Sequence, residues 1–108
     1  MQFDRKAYAN MFKIAVAESR IKKSQETFKI KLFLEKAKNS LLIAKHVKDM
    51  IPDKNQPAKL YWNYWAIIVS YYSMLYAAKA AILSKKYEAD DHDAVQIALG
   101  YLLIPDEL

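Results

Sequence analysis

The stretch from Tyr61 to Lys86, YWNYWAIIVSYYSMLYAAKAAILSKK, constrains this chain more than any other. It contains neither glycine nor proline, and from Leu60 to Ala78 it carries no charged residue. A helix of that length and composition crosses a small domain in one piece and needs cover on most of its sides. At 100° per residue it has two faces. Trp65, Val69, Tyr72, Tyr76, Lys79 and Leu83 form a bulky stripe, while Asn63, Ala66, Ser70, Ser73, Ala77 and Ala81 form a small-residue stripe opposite. Bulky side chains fill core volume, and small ones let a neighbouring backbone come close. The pattern predicts a central helix with neighbours on both sides.

The flanking segments supply those neighbours. Phe3 to about Lys23 reads as a first helix, with Phe3, Ala7, Tyr8, Met11, Ala15 and Val16 at three- and four-residue steps. Asp4 at its start and Arg20, Lys22 and Lys23 at its end suit the helix dipole. Ser24 to Thr27 is polar and can be a turn or continuous helix. Phe28 to Ile51 reads as a second helix, its stripe formed by Ile30, Leu34, Ala37, Leu41 and Ala44, with His46 facing solvent. Pro52 disfavours helix at Ile51, and the loop from Ile51 to Pro57 is short enough to make helices two and three antiparallel neighbours. A fourth helix is expected from about Asp91 to Leu103, stopped by Pro105. Asp90, Asp91, His92 and Asp93 can be read as divalent-metal ligands, but consecutive residues diverge on a helix, so capping by an aspartate is the expectation.

One glycine and three prolines among 108 residues, 54% of them hydrophobic, leave too few turn residues for a sandwich or a doubly wound sheet. The fold class expected is all-α: one domain, an up-and-down bundle of about four helices, with residues 1–27 as an N-terminal helical extension. No cysteine is present, so there is no disulfide, no thiolate metal site and no thiol nucleophile. Charged residues interrupt the first twenty positions, unlike a secretory signal. The run from Leu60 to Ala78 approaches a membrane span in length, but Asn63, Ser70, Ser73 and five dispersed tyrosines argue for a helix of a soluble bundle. A cytoplasmic chain without a membrane span, metal or cofactor is expected. Gly-rich phosphate loops, nucleophile elbows and His-Glu-x-x-His motifs are all missing from the sequence.

Charge is uneven. Residues 1–57 hold thirteen Lys and Arg against six Asp and Glu, a net of +7, and residues 58–108 hold four against six, a net of −2. A basic half can attract the phosphates of RNA or of a nucleotide. Lys31, Lys38 and Lys45 recur every seven residues beside the apolar stripe of the second helix. They can form a ridge along a phosphate backbone, or they can lay their methylenes along the edge of the core.

Two segments, LEKAKNSLLIAKHV at 34–47 and SYYSMLYAAKAAILSKKYEADDHDAVQIAL at 70–99, together resemble HEPN domains, particularly the small archaeal and bacterial ones. The likeness covers about residues 33–100 and is best at Tyr71, Tyr72, Met74, Ala77 and Ala78 followed by His92. It implies a helical bundle, often dimeric, encoded beside or fused to a minimal nucleotidyltransferase, and acting in RNA cleavage, nucleotide binding or toxin–antitoxin pairs. Lys79 stands where related sequences often have arginine, His92 matches the histidine after the central helix, and Tyr72 and Tyr76 share a face with Lys79. Tyr72, Tyr76, Lys31, Lys38 and Lys45 are the residues expected to bind nucleotide or RNA. The pattern also departs from the family. HEPN ribonucleases carry an arginine, four to six residues, then a histidine, whereas here a lysine, Lys86, is followed by five residues and then His92, and the chain stops where the family usually continues into another helix.

A metal-independent ribonuclease needs a base for the 2′-hydroxyl proton and a cation for the phosphorane charge. By the resemblance His92 would be the base and Lys79 or Lys86 the cation. The leading expectation is a binding module for a nucleotide, RNA or a nucleotidyltransferase-type partner. The alternatives are an active HEPN ribonuclease toxin and a ligand-free dimerisation bundle. If a final helix is missing, Val69, Tyr72, Leu99 and Leu102 would be partly uncovered, and homodimerisation is the simplest remedy.

Overall fold

Among the described residues six elements follow one another: α1 (Arg5–Ala17), β1 (Ile21–Lys23), α2 (Lys29–Asp49), α3 (Ala58–Ser84), β2 (Tyr87–Ala89) and α4 (His92–Leu102). The computed structural model describes residues 4–49 and 58–104. The helix start expected at Phe3, the loop from Ile51 to Pro57 and the stop at Pro105 lie outside the described residues. Four helices carry the fold, as an all-α bundle requires, and one short ladder is added to them.

That ladder corrects the reading of the first helix, which ends at Ala17 and not near Lys23. Ser19 takes a left-handed backbone with φ of 60°. Its amide donates to the Val16 carbonyl, and the Arg20 amide reaches back to that of Ala15. This is a Schellman ending, and a serine occupies the position where glycine is usual. Lys86, at φ 67°, ends α3 similarly, its amide donating to the Leu83 carbonyl. Each turn releases three residues that pair antiparallel, Ile21 with Ala89, Lys22 with Glu88 and Lys23 with Tyr87. Lys22 and Lys23 therefore belong to a strand and do not serve the dipole of α1.

The core lies where α1, α4, the ladder and the C-terminal end of α3 meet. Phe12, Ile21, Ile82, Ala94, Val95 and Ala98 are among its buried members. Full burial of Ile21, Ile82 and Leu83 contributes roughly 1.5–3 kcal/mol each. Phe12 packs between Tyr87 and Tyr101, with ring centroids 5.3 and 4.5 Å away. A methyl group at Gly100 would overlap the Tyr8 ring, so this glycine is what lets α1 lie against α4.

Helix α3 is only half enclosed. Part of its small-residue stripe receives α2: the Ser73 hydroxyl donates to the Ala37 carbonyl at 2.6 Å, and Ala37 and Ala44 are buried, whereas Ala77 is exposed and Tyr76 of the bulky stripe stacks on Phe33 of α2. On the neighbouring side, α4 meets α3 from Tyr71 onward. The bulky stripe departs from the expectation of cover on both sides, because Leu83 is buried but Trp65 stands exposed, as does Tyr72, whose partial exposure is expected only if a final helix is missing. Length explains this. At 1.5 Å per residue α3 rises about 40 Å and α4 about 16 Å, so α4 covers one end only. Val69, Leu99 and Leu102 are half-buried. Within α3, Tyr64–Ser84 is long and apolar enough to cross a membrane by length and composition, yet its last turns, with Ala80, Ile82 and Leu83, are built into the core.

Candidate functional site

The uncovered half of the α2–α3 hairpin is the most distinctive surface of the molecule. Small residues let the two helices approach, and the larger residues beside that seam are forced outward. Between the helices runs an open groove of about 920 Å³, floored by Leu41, Ala44, Ala66, Ile67, Ser70, Tyr71 and Met74. Met74 is 70% exposed, Ile67 68% and Leu41 58%. An apolar strip of this kind on a solvated helix pair is unfavourable unless something covers it. Lys45 and Lys48 of α2 form its charged lip.

One residue of the groove floor, Tyr71, touches His92. It meets the His92 ring edge-on at a centroid distance of 5.4 Å. His92 is the first residue of α4 and is exposed. Its position is set by Arg20, whose guanidinium grips both of its neighbours in the chain. Nε and Nη2 donate to the two oxygens of Asp91 at 2.8 and 2.9 Å, and Nη2 donates also to Asp93 at 2.9 Å. Asp91 in turn caps α4 by accepting from the Ala94 amide at 2.8 Å. The hydrogen bonds from Arg20, then the one from Ala94, hold the Asp91 carboxyl well below the usual carboxylate range. The same contacts, Asp91 first and then Asp93, push the Arg20 guanidinium further up.

Arg20 is the residue that sequence reasoning misplaced. Read as a dipole partner of α1, it is a bidentate clamp on α4, 71 positions away from Asp91. Arg5 completes the arrangement at the other end, donating to the Ile104 carbonyl at 2.8 Å and lying 5.7 Å from the Tyr101 ring centroid. Both arginines of the chain thus hold α4, an acid-gripping one at its N-terminus and a carbonyl-gripping one at its C-terminus.

The other predicted site residues are dispersed. Lys79 borders a small pocket of about 140 Å³ with Phe33, Glu88 and Asp90. Glu88 is also bound by Ser24 and Lys29, and these hydrogen bonds, Ser24's the largest, lower its carboxyl. Lys29, which also pairs with Glu26, is raised in consequence, the Glu26 hydrogen bond contributing most. Lys86 is exposed on the turn before β2, where its carbonyl accepts from the Ser24 amide. No described hydrogen bond or ion pair joins His92 to either lysine, so the proposed base and cations are not brought into contact. Tyr76 stacks on Phe33 at 6.4 Å with the Lys36 ammonium 5.4 Å from its ring centroid, and Tyr72 is exposed beside Tyr71. Lys31, Lys38 and Lys45 are all exposed, but only Lys45 reaches the groove. The acidic run near His92 is accounted for by protein contacts, with Asp90 facing Lys22 at 3.7 Å. Among the described residues no three His, Asp or Glu side chains are arranged to hold a metal ion.

Comparison with known proteins returns nothing similar to this chain: no family model, no curated protein and no solved structure matches it.

Proposed function

We propose that this chain is a cytoplasmic binding module whose α2–α3 groove docks a protein partner, the candidate partner being the minimal nucleotidyltransferase-type protein that the HEPN resemblance implies. The observation that carries this reading is the groove itself, apolar on its floor and charged only at one lip. A phosphate ligand needs converging donors, whereas a protein partner needs apolar area with a polar rim. A toxin–antitoxin pair is the setting such a module would suit.

Co-expression with a minimal nucleotidyltransferase tests the proposal, using the wild-type chain beside Ile67→Glu and Met74→Glu. Both positions are exposed, so the variants are expected to keep the wild-type melting temperature and lose co-elution. Co-elution that survives both substitutions would remove the groove from consideration.

A second reading has a specific observation behind it, namely that Tyr71 of the groove floor packs on an exposed histidine whose two chain neighbours are held by Arg20. On this reading His92 would act as the base of a metal-independent ribonuclease, with Lys79 or Lys86 having to approach it as the cation. Cleavage of mixed RNA in EDTA that disappears in a folded His92→Ala variant would establish it and displace the docking module. RNA binding without cleavage, falling steeply with salt and lost on replacing Lys31, Lys38 and Lys45, would instead favour the lysine ridge as a phosphate site.

A further inference from the structure

The charge around the groove narrows what can sit in it. Helices α2 and α3 together carry eight lysines and two acids, a net of +6 in a chain of net +5, so the rest of the chain sums to −1. Helix α3 has no acid at all, and the two on α2 are Glu35 and Asp49. Lys45 and Lys48, on the groove lip, have no ion-pair partner among the described residues.

A second copy of the chain cannot answer that charge well. Hairpin laid on hairpin would bring +6 against +6. The acids outside the hairpin are already engaged: Asp91 and Asp93 by Arg20, Glu88 by Lys29 and Asp90 by Lys22. Glu18 and Glu26 pair with Arg20 and Lys29, and Asp4 caps α1 by accepting from the Ala7 amide. No unengaged acidic patch on the described surface of one molecule is available to a groove on another.

We infer that the groove receives an acidic amphipathic helix from a different protein. This rests on the docking reading above and specifies its partner. The lining residues run from Leu41 to Lys48 on α2 and from Ala66 to Met74 on α3, a length of roughly 12 Å at the helical rise. That accommodates about two turns, presenting apolar side chains at i, i+3 or i+4, and i+7. Leu41, Ile67 and Met74 meet those side chains, and the flexible Met74 thioether adapts to their shape. Carboxylates on the edge of the incoming helix that faces α2 meet Lys45 and Lys48. The apolar floor supplies the contact area, and the lysines set the orientation and exclude basic helices.

The test is fluorescence anisotropy with two labelled synthetic peptides that share leucines at i, i+3, i+4 and i+7. One has glutamates at the flanking positions and the other lysines. The full chain is expected to bind the glutamate peptide at least about tenfold more tightly than the lysine peptide, with affinity declining as salt rises. The double variant Lys45→Glu/Lys48→Glu is expected to reverse that preference. A reversal excludes loss of folding as the cause, since a misfolded protein would bind neither peptide selectively. Equal binding of the two peptides, or binding of neither, overturns the inference. So does light scattering that shows a dimer dissociated by Ile67→Glu, because the occupant would then be a second copy. Vesicles with anionic headgroups, or RNA, competing with the glutamate peptide in the wild type and not in Ile67→Glu would likewise replace a helix with a lipid or RNA ligand. If the peptides fail while the nucleotidyltransferase still co-elutes through the groove, only the acidic helix is lost. If both fail, the docking module falls with it.

Discussion

Arg5 and Arg20 do more for this fold than their number suggests, because each fork holds one end of α4 where the helix leaves backbone groups or cap side chains unmatched. Asp91 is held well below its ordinary range by Arg20 and Ala94, and Glu88 is lowered by Ser24 and Lys29. A depressed carboxyl stabilises the fold at pH values above its unfolded pKa, about 4 for Asp and Glu, and that stabilisation is lost as pH falls from there toward the folded pKa. Thermal melts from pH 7 to 2.5 are expected to show a steep acid limb in the wild type and a flatter one in Arg20→Leu and in Asp91→Asn. Parallel limbs would show that the clamp is not coupled to folding. Arg20→Lys is not expected to restore the wild-type limb, since an ammonium cannot grip Asp91 with two donors in one plane. At Gly100 the constraint is steric. Gly100→Ala drives a methyl group into the Tyr8 ring and is expected to cost about 1–3 kcal/mol in denaturant unfolding, less when combined with Tyr8→Ala.

The α2–α3 hairpin rests on a seam of small residues. Ala37, Ala44 and Ser73 are buried there, and the Ser73 hydroxyl reaches the Ala37 carbonyl across the helices at 2.6 Å. Ser73→Ala removes that bond without adding volume and is expected to destabilise by about 1 kcal/mol. Ser73→Leu forces the helices apart and is expected to cost more, about 1–3 kcal/mol. It also reshapes the groove, so loss of partner binding should accompany it. A Ser73→Leu protein as stable as Ser73→Ala would mean that the seam is not close-packed. The small-residue stripe on α3 was legible from one sequence because close helix approach has a local compositional cost that only small side chains meet. Exposure of Trp65 was not, and that of Tyr72 was expected only if a final helix were missing, because both depend on how far α4 reaches along its neighbour.

The molecule as a whole is extended. Its radius of gyration is 17.1 Å, against about 13 Å expected for a compact chain of this length. Its long axis measures 50 Å. One end holds the core and both arginine clamps, and the hairpin projects from it with apolar residues open to solvent. Hydrogen exchange is expected to divide accordingly. Amides of Ile82, Leu83, Ala94 and Ala98 should exchange only through global unfolding, while those around Leu42 and Ile67 should exchange through smaller openings. Uniform protection along α3 would contradict this division. Binding of a partner in the groove should raise protection at Leu42 and Ile67 selectively.

The existence of the four helices, a cap on α4 by one of its aspartates and the close approach of α2 to α3 are set by local properties: periodicity, the dipole, and the size of side chains on one face. These are written in neighbouring residues, so the sequence by itself determined them. The ladder of Ile21–Lys23 with Tyr87–Ala89 is three residues long on each side, too short for a period, and exists only because two left-handed turns bring its strands together. The clamps on α4 join residues more than seventy positions apart, and the groove is a gap left by a helix too short to fill it. Those depend on distances between elements, which no run of the chain encodes alone, and only the tertiary structure decided them.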